Sequence, residues 1–303
     1  MFSSKSSAAK LSLVVVIGLI VLKVVVAVIT GSISILAQAV DSFLDLFAVI
    51  ITFFAIGMAS RPADEEHPFG HGKVEEIAAM VQAVLIFAAG GLIIYSAVHR
   101  IIVGATVELT EVGLGVMAVS IIVSIFLSRY LLRVSQATGS IALEANAHNI
   151  AADVYSAAGV LVGLAAIRFT GLSILDPIIA LVVTLFILKV AYNLTRKSFG
   201  RLIDVRLAQA EEDQIMSCIM EHCDQLVGFH ELRTRKAGSQ HYIDLHLVMP
   251  KNTSVEEAHS VCDHLEQDIK TRLQHTSVII HVEPCSIECD QCSVYCTLRK
   301  KSY

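Results

Sequence analysis

Asp41 and Asp45 stand four residues apart in a stretch that is otherwise apolar from Ile33 to Met58. A four-residue spacing puts both side chains on one helical face. An ionised carboxylate in hydrocarbon costs several kcal/mol unless a cation, a proton or a polar cavity receives it. Asn149 and Asp153 repeat the spacing in a later apolar stretch. Together the four residues read as an oxygen-lined cation site buried in a membrane bundle. Lys23, inside the first apolar run, reads as a residue that snorkels or makes an interhelical contact rather than one that takes part in transport.

The elements that must hold such a site are long helices. The chain is 54% hydrophobic and only 17% charged, with a mean hydropathy of +0.66, well away from a soluble average. Runs of about 20 apolar residues, the length that spans a bilayer core, fall near 11–30, 35–59, 76–98, 112–132, 141–168 and 173–194. The first run is longer than the apolar core of a signal peptide and lacks a small-residue cleavage site, so it reads as a membrane helix. Lys5, Lys10, Arg61, Lys73, Arg129, Arg133, Arg196, Lys197 and Arg201 fall on one side of these six spans, against Arg100 and Arg168 on the other. The excess of positive charge marks the cytoplasmic side, which places both termini in the cytoplasm. The net charge of −5 argues against nucleic acid as a partner.

Beyond Asp204 the composition turns polar. Residues 208–223 have helical spacing with Glu211, Glu212 and Asp213 in the first turns, where negative charge suits the helix dipole. Residues 226–235 and 242–249 alternate as strands around a turn at 236–240. Residues 255–273 read as a helix introduced by Thr253 and Ser254, and 278–281 as a short strand. The reading is a six-helix transmembrane bundle over 1–204, a C-terminal cytoplasmic α+β domain (αββαβ, ferredoxin-like) over 205–284 with its helices on one face, and a cysteine-rich tail over 285–303.

In this order of elements, the Asp41-Ser-Phe-Leu-Asp45 pair, the His67-Pro-Phe-Gly-His71-Gly-Lys73-Val-Glu75 loop, the Asn149 to Asp153 pair and Gly228-Phe-His-Glu-Leu-Arg-Thr-Arg235 occur together. On them the chain, from about residue 10 to 285, resembles the cation diffusion facilitators, and among these the bacterial ferrous-iron/zinc efflux transporters. The resemblance implies a homodimer in the cell (inner) membrane that exports a divalent metal in exchange for protons. It maps the transport site onto Asp41, Asp45, Asn149 and Asp153. The iron/zinc pattern has a histidine where this chain has Asn149; His148 is next to it but about 100° around the helix, so it reads as a polar residue at a helix contact. Three carboxylates and an amide make an all-oxygen shell, which suits manganese(II) or iron(II) better than zinc. Without a site histidine, protons must compete with metal at the carboxylates themselves, where mutual repulsion and poor solvation favour taking up either cation.

Further sites follow from the resemblance. Asp64, His67 and His71 match a metal site in the cytoplasmic loop, although two histidines on a Gly/Pro turn need no metal. His230, His246, His259, His281 and Glu283 match a binuclear site joining two cytoplasmic domains, the alternative being surface histidines on a sheet; Glu283 stands where aspartate is usual. Lys73 and Asp204 match an ion pair at the dimer junction. Cys285, Cys289, Cys292 and Cys296 exceed the family pattern and have spacings that suit a four-thiolate zinc or an iron–sulfur site, or else form a reactive tail. Cys218, Cys223 and Cys262 read as small apolar residues packed on helices. The leading function is proton-coupled efflux of a divalent transition metal, with Mn2+ or Fe2+ ahead of Zn2+. The rival is a membrane-anchored metal sensor or scaffold without transport. No nucleophile elbow, phosphate loop or HExxH motif points to an enzyme.

Overall fold

The structure is a computed structural model that describes residues 4–30, 33–103, 111–170, 174–222 and 226–285. The chain divides into two compact units, Met1–Phe199 and Gly200–Tyr303. The first is built from α1 (Lys5–Thr30), α2 (Ile33–Ala59), α3 (Val74–Val103), α4 (Glu111–Thr138), α5 (Ile141–Thr170) and α6 (Leu175–Leu202). Among the described residues, four stretches are long and apolar enough to cross a membrane: Lys5–Ile29, Val74–Ile102, Gly115–Thr138 and Pro177–Leu202. α2 adds a shorter apolar stretch, Asp45–Ala59. The polar content of α5 has a physical reason. Its first two turns are enclosed by protein, with Ile141, Ala142, Leu143, Ala145 and Asn146 fully buried, so they do not need an apolar outer face.

In this unit α1 packs along α2 and α4 along α5, while α3 touches both α2 and α5. Buried polar pairs tie the helices together. Lys5 Nζ donates to Glu75 Oε1 at 2.6 Å, and Ser140 Oγ donates to Glu75 Oε2, which joins α1, α3 and the start of α5 around a fully buried carboxylate. Gln82 Nε2 donates to Thr52 Oγ1 at 2.5 Å and Asn146 Nδ2 to Ser12 Oγ at 3.0 Å. Such bonds contribute about 1 kcal/mol each, but cost more when one partner is removed and the other stays buried. Gly90 lets α3 approach α6: a Cβ there would lie 2.7 Å from Leu188 Cδ2.

The second unit contains α7 (Gln209–Glu221), β1 (Gly228–Ala237), β2 (Gln240–Met249), α8 (Val255–Arg272) and β3 (Thr276–Pro284). The sheet order is β1-β2-β3, with β1 and β2 antiparallel and β2 and β3 parallel. The hairpin turns in two residues, with Gly238 at φ +58°, which is why the strands run past the expected turn boundaries. The parallel pairing needs a crossover, which α8 supplies. Ser254 caps α8 by accepting from Glu257 N at 3.2 Å, while the Glu257 carboxylate accepts from Ser254 N at 2.9 Å, a complete capping box. β2 alternates: His241, Ile243, Leu245, Leu247 and Met249 are buried, and the last four share one core with Ile215, Cys218 and Ile219 of α7 and Val261, Cys262, Leu265 and Ile269 of α8. Both helices therefore cover one face of the sheet, and the even-numbered residues of β2 look out from the other.

Candidate functional site

The packing of α2 against α5 brings Asp45 to the side of α5 that carries Asn149 and Asp153. Asp45 and Asp153 both line a cavity of about 280 Å³ in the first unit. Asn149 is buried, and its Nδ2 donates to Asp45 Oδ1 at 3.4 Å, so it meets the cavity through Asp45 and is not itself one of the wall residues. The side chain of Asp41 lies outside those described. The cavity also carries hydroxyls that the sequence reading missed, Ser42 from α2, Ser120 and Ser124 from α4, and Ser156 from α5. Ser120 Oγ is buried with no hydrogen-bond partner among the described residues. A signal was available, since Ser120 and Ser124 repeat the four-residue spacing of the acidic pair in an apolar helix. Lys23 lines the cavity as well, and its Nζ donates to Ser42 Oγ at 2.6 Å, the interhelical contact expected of it. His148 does not line the cavity; its charged neighbours are Glu144 and Lys197 of α6. Carboxylate and hydroxyl oxygens of this kind suit hard divalent cations.

The second cluster lies in the loop between α2 and α3. Asp64 Oδ1 accepts from His67 N at 2.7 Å and lies 3.2 Å from His67 Nδ1, while Asp64 Oδ2 is 3.4 Å from His71 Nε2. Gly70, at φ +76°, turns the chain back so that the two imidazoles come within 4.4 Å, centroid to centroid. The His67 N–H, with help from both imidazoles, lowers the Asp64 pKa and keeps it charged. One ligand atom from each of the three residues lies within 4.8 Å of the others. His71 is buried and its Nδ1 has no partner among the described residues. That donor set fits a divalent metal.

The third cluster is on the open face of the sheet. Register sets it: His230 pairs with His246, and His246 with His281, so one imidazole from each strand lies in a row. Glu283 follows two residues on along β3, on the same face. Its Oε1 is 2.9 Å from His246 Nδ1 and its Oε2 3.2 Å from His230 Nε2, and these bonds, His246 first, lower its pKa. Ligand atoms of His230, His246 and Glu283 lie within 4.8 Å of one another, and the His281 ring is 4.8 Å from that of His246. The structure does not bring His259 to this group. It projects from α8, on the covered side of the sheet, where its Nδ1 is 3.1 Å from Asp263. Glu231 was missed: a β-bulge between His230 and Arg233, with Glu231 at φ +49°, turns its carboxylate to 3.9 Å from His246 Nε2.

Asp204, at φ +58°, sits just past the end of α6 with its carboxylate 3.4 Å from Arg235, while Lys73 precedes α3 in the first unit. Cys285 N donates to Met249 O at 2.8 Å. Cys289, Cys292 and Cys296 lie outside the described residues, as does Cys223. Cys218 and Cys262 are core residues, and burial pushes both thiols up, which makes them poor ligands and nucleophiles.

Two family models match in succession, the cation efflux transmembrane domain over residues 9–203 and the cytoplasmic domain of cation efflux proteins over 207–285. An uncharacterized transporter of Synechocystis sp. is 36% identical over 84% of this chain and 83% of its own length. The cation-efflux pump FieF of Shewanella oneidensis is 32% identical over 93% of this chain and 94% of its own. Its Salmonella newport counterpart is 33% identical over 85% of each. A solved structure of a zinc transporter, CzrB, is 34% identical and covers 26% of this chain and 99% of its own, with a TM-score of 0.26.

Proposed function

The chain belongs to the cation efflux family, whose members are transporters and not enzymes, and from that premise we propose that it exports a divalent transition metal, Mn2+ or Fe2+ ahead of Zn2+, in exchange for protons. The observation that carries this reading is the cavity lined by Asp45 of α2 and Asp153 of α5, with serine hydroxyls and Lys23 in the same wall and the Asn149 amide on Asp45. Asp41, one helical turn before Asp45, completes the ligand set. Six spans, a homodimer and a cytoplasmic location for both termini and the C-terminal unit complete the proposal. The family description of the cytoplasmic domain and the bias of Lys and Arg along the sequence support it.

Export needs a site that binds metal on one side and releases it on the other. Paired carboxylates supply both steps, because repulsion between them makes either a metal ion or protons welcome and the two compete for the same oxygens. The loop cluster of Asp64, His67 and His71 and the sheet cluster of His230, His246, His281 and Glu283 are resident metal sites in this reading. Bound metal would neutralise Glu283 and hold the strand residues in place. His259 joins the sheet cluster only from a second copy of the chain, and Lys73 with Asp204 forms the junction pair in the dimer. Metal uptake into proteoliposomes under an imposed pH gradient, compared for manganese, iron, zinc, cobalt and cadmium, tests the proposal. Uptake that ignores the gradient removes proton exchange. Asp45→Ala vesicles that take up metal at the parent rate place the transport site elsewhere.

A further inference from the structure

Lys23 is a cation built into the wall of a cavity proposed to bind cations. It comes from the C-terminal half of α1, is half-buried, and lines the same space as Asp45 and Asp153. Its Nζ is held by Ser42 Oγ at 2.6 Å, and Ser42 lies one turn before Asp45 on α2. An aliphatic stem crossing from α1 to α2 thus delivers a fixed positive charge to the edge of the acidic group. A contact that merely joined two helices would not need an ammonium, since a neutral donor reaches a serine hydroxyl equally well.

We propose that Lys23 sets the affinity of the transport site: its ammonium is a tethered counter-ion to the cavity carboxylates, which an arriving divalent metal must work against. The inference rests on the reading of Asp45 and Asp153 as metal ligands and adds to it a residue that lowers affinity. Such a residue eases release beside the competition from protons. Two or more carboxylates without a counter-charge hold a divalent ion tightly, and a tightly held ion leaves slowly. Charges in a poorly solvated cavity act on one another more strongly than in water. The Ser42 hydroxyl, 2.6 Å from Nζ, holds the ammonium at the cavity wall.

The test separates charge from contact. Lys23→Gln keeps a donor for Ser42 and removes the charge; Lys23→Arg keeps the charge. Manganese binding is measured by calorimetry on the full-length protein in nanodiscs, with Asp153→Asn subtracted to isolate the cavity from the other clusters, and KM and kcat are read in proteoliposomes. Lys23→Gln should bind Mn2+ about tenfold more tightly or better, with KM falling in step and kcat falling as release slows. Lys23→Arg should return the affinity to within a few-fold of the parent. Unchanged or weaker binding in Lys23→Gln, with Asp153→Asn still abolishing the cavity's share, overturns the inference and leaves the site in place. Should Lys23→Gln fail to fold, Lys23→Met takes its place, and a loss of folding in both makes Lys23 a structural tie and refutes the proposal. Manganese binding by Asp153→Asn equal to that of the parent refutes the site itself, a distinct result.

Discussion

Replacing Asn149 with histidine tests how selectivity arises. The amide is buried, and its one described bond, to Asp45 at 3.4 Å, is long for a hydrogen bond to a carboxylate. Losing it costs about 1 kcal/mol or less. Fitting a larger ring into a buried place costs about 1 to 3 kcal/mol, lessened by the neighbouring cavity of about 280 Å³. Both costs fall alike on every metal and cancel in a ratio. What remains is the exchange of an amide beside the site for an imidazole nitrogen one turn before Asp153 and on its face. Imidazole favours zinc over manganese, and zinc accepts it in a four-ligand shell. A preference of about 2 kcal/mol changes the manganese-to-zinc ratio by about 30-fold. The new side chain also adds a group that titrates between about pH 5 and 8, so zinc transport should fall as pH drops through that range. Parent and Asn149→His vesicles are compared for both metals from pH 5.5 to 8. An unchanged ratio with a folded protein refutes the reasoning, and leaves Asn149 as a donor that orients Asp45.

Three further outcomes are expected. Glu211 is held at a pKa of about 2, first by His241 and then by Lys236. Because its folded pKa is depressed, its contribution to stability is complete above the ordinary carboxylate pKa and disappears as pH falls through about 2. Partial exposure reduces that contribution to about 1 to 2 kcal/mol, so Glu211→Gln should lower the unfolding temperature of the C-terminal unit at pH 7 but much less at pH 3, measured by circular dichroism on the full-length protein. Lys73→Ala should loosen the dimer by about 1 kcal/mol or less, since Asp204 is partly exposed and keeps Arg235 at 3.4 Å, and exchanging the charges of Lys73 and Asp204 should restore part of it in a sedimentation assay. Truncation after Pro284 should leave vesicle transport largely intact while lowering the metal bound per protomer, read by elemental analysis; loss of transport in a folded truncation assigns the tail to the translocation path.

Much of this protein is written locally. Four-residue spacing decides that Asp45 and Asp41, or Asn149 and Asp153, share a helical face, because the turn of a helix is fixed whatever surrounds it. The same locality made α8 legible through Ser254 and Glu257 and made β2 legible through its alternation. Which faces meet is a different question, settled by packing between residues far apart in the chain. Nothing near Lys23 or Ser120 says that α1 and α4 close the same cavity as Asp45 and Asp153. Strand register places His230, His246 and His281 in a row, and register follows from the Gly238 turn and the buried side of β2. The bulge that turns Glu231 toward His246 inserts one residue into that register, and a period-two pattern cannot reveal it. His259 shows the converse: its residue type fits the cluster, but α8 covers the other face of the sheet, so within one copy of the chain the fold keeps it away.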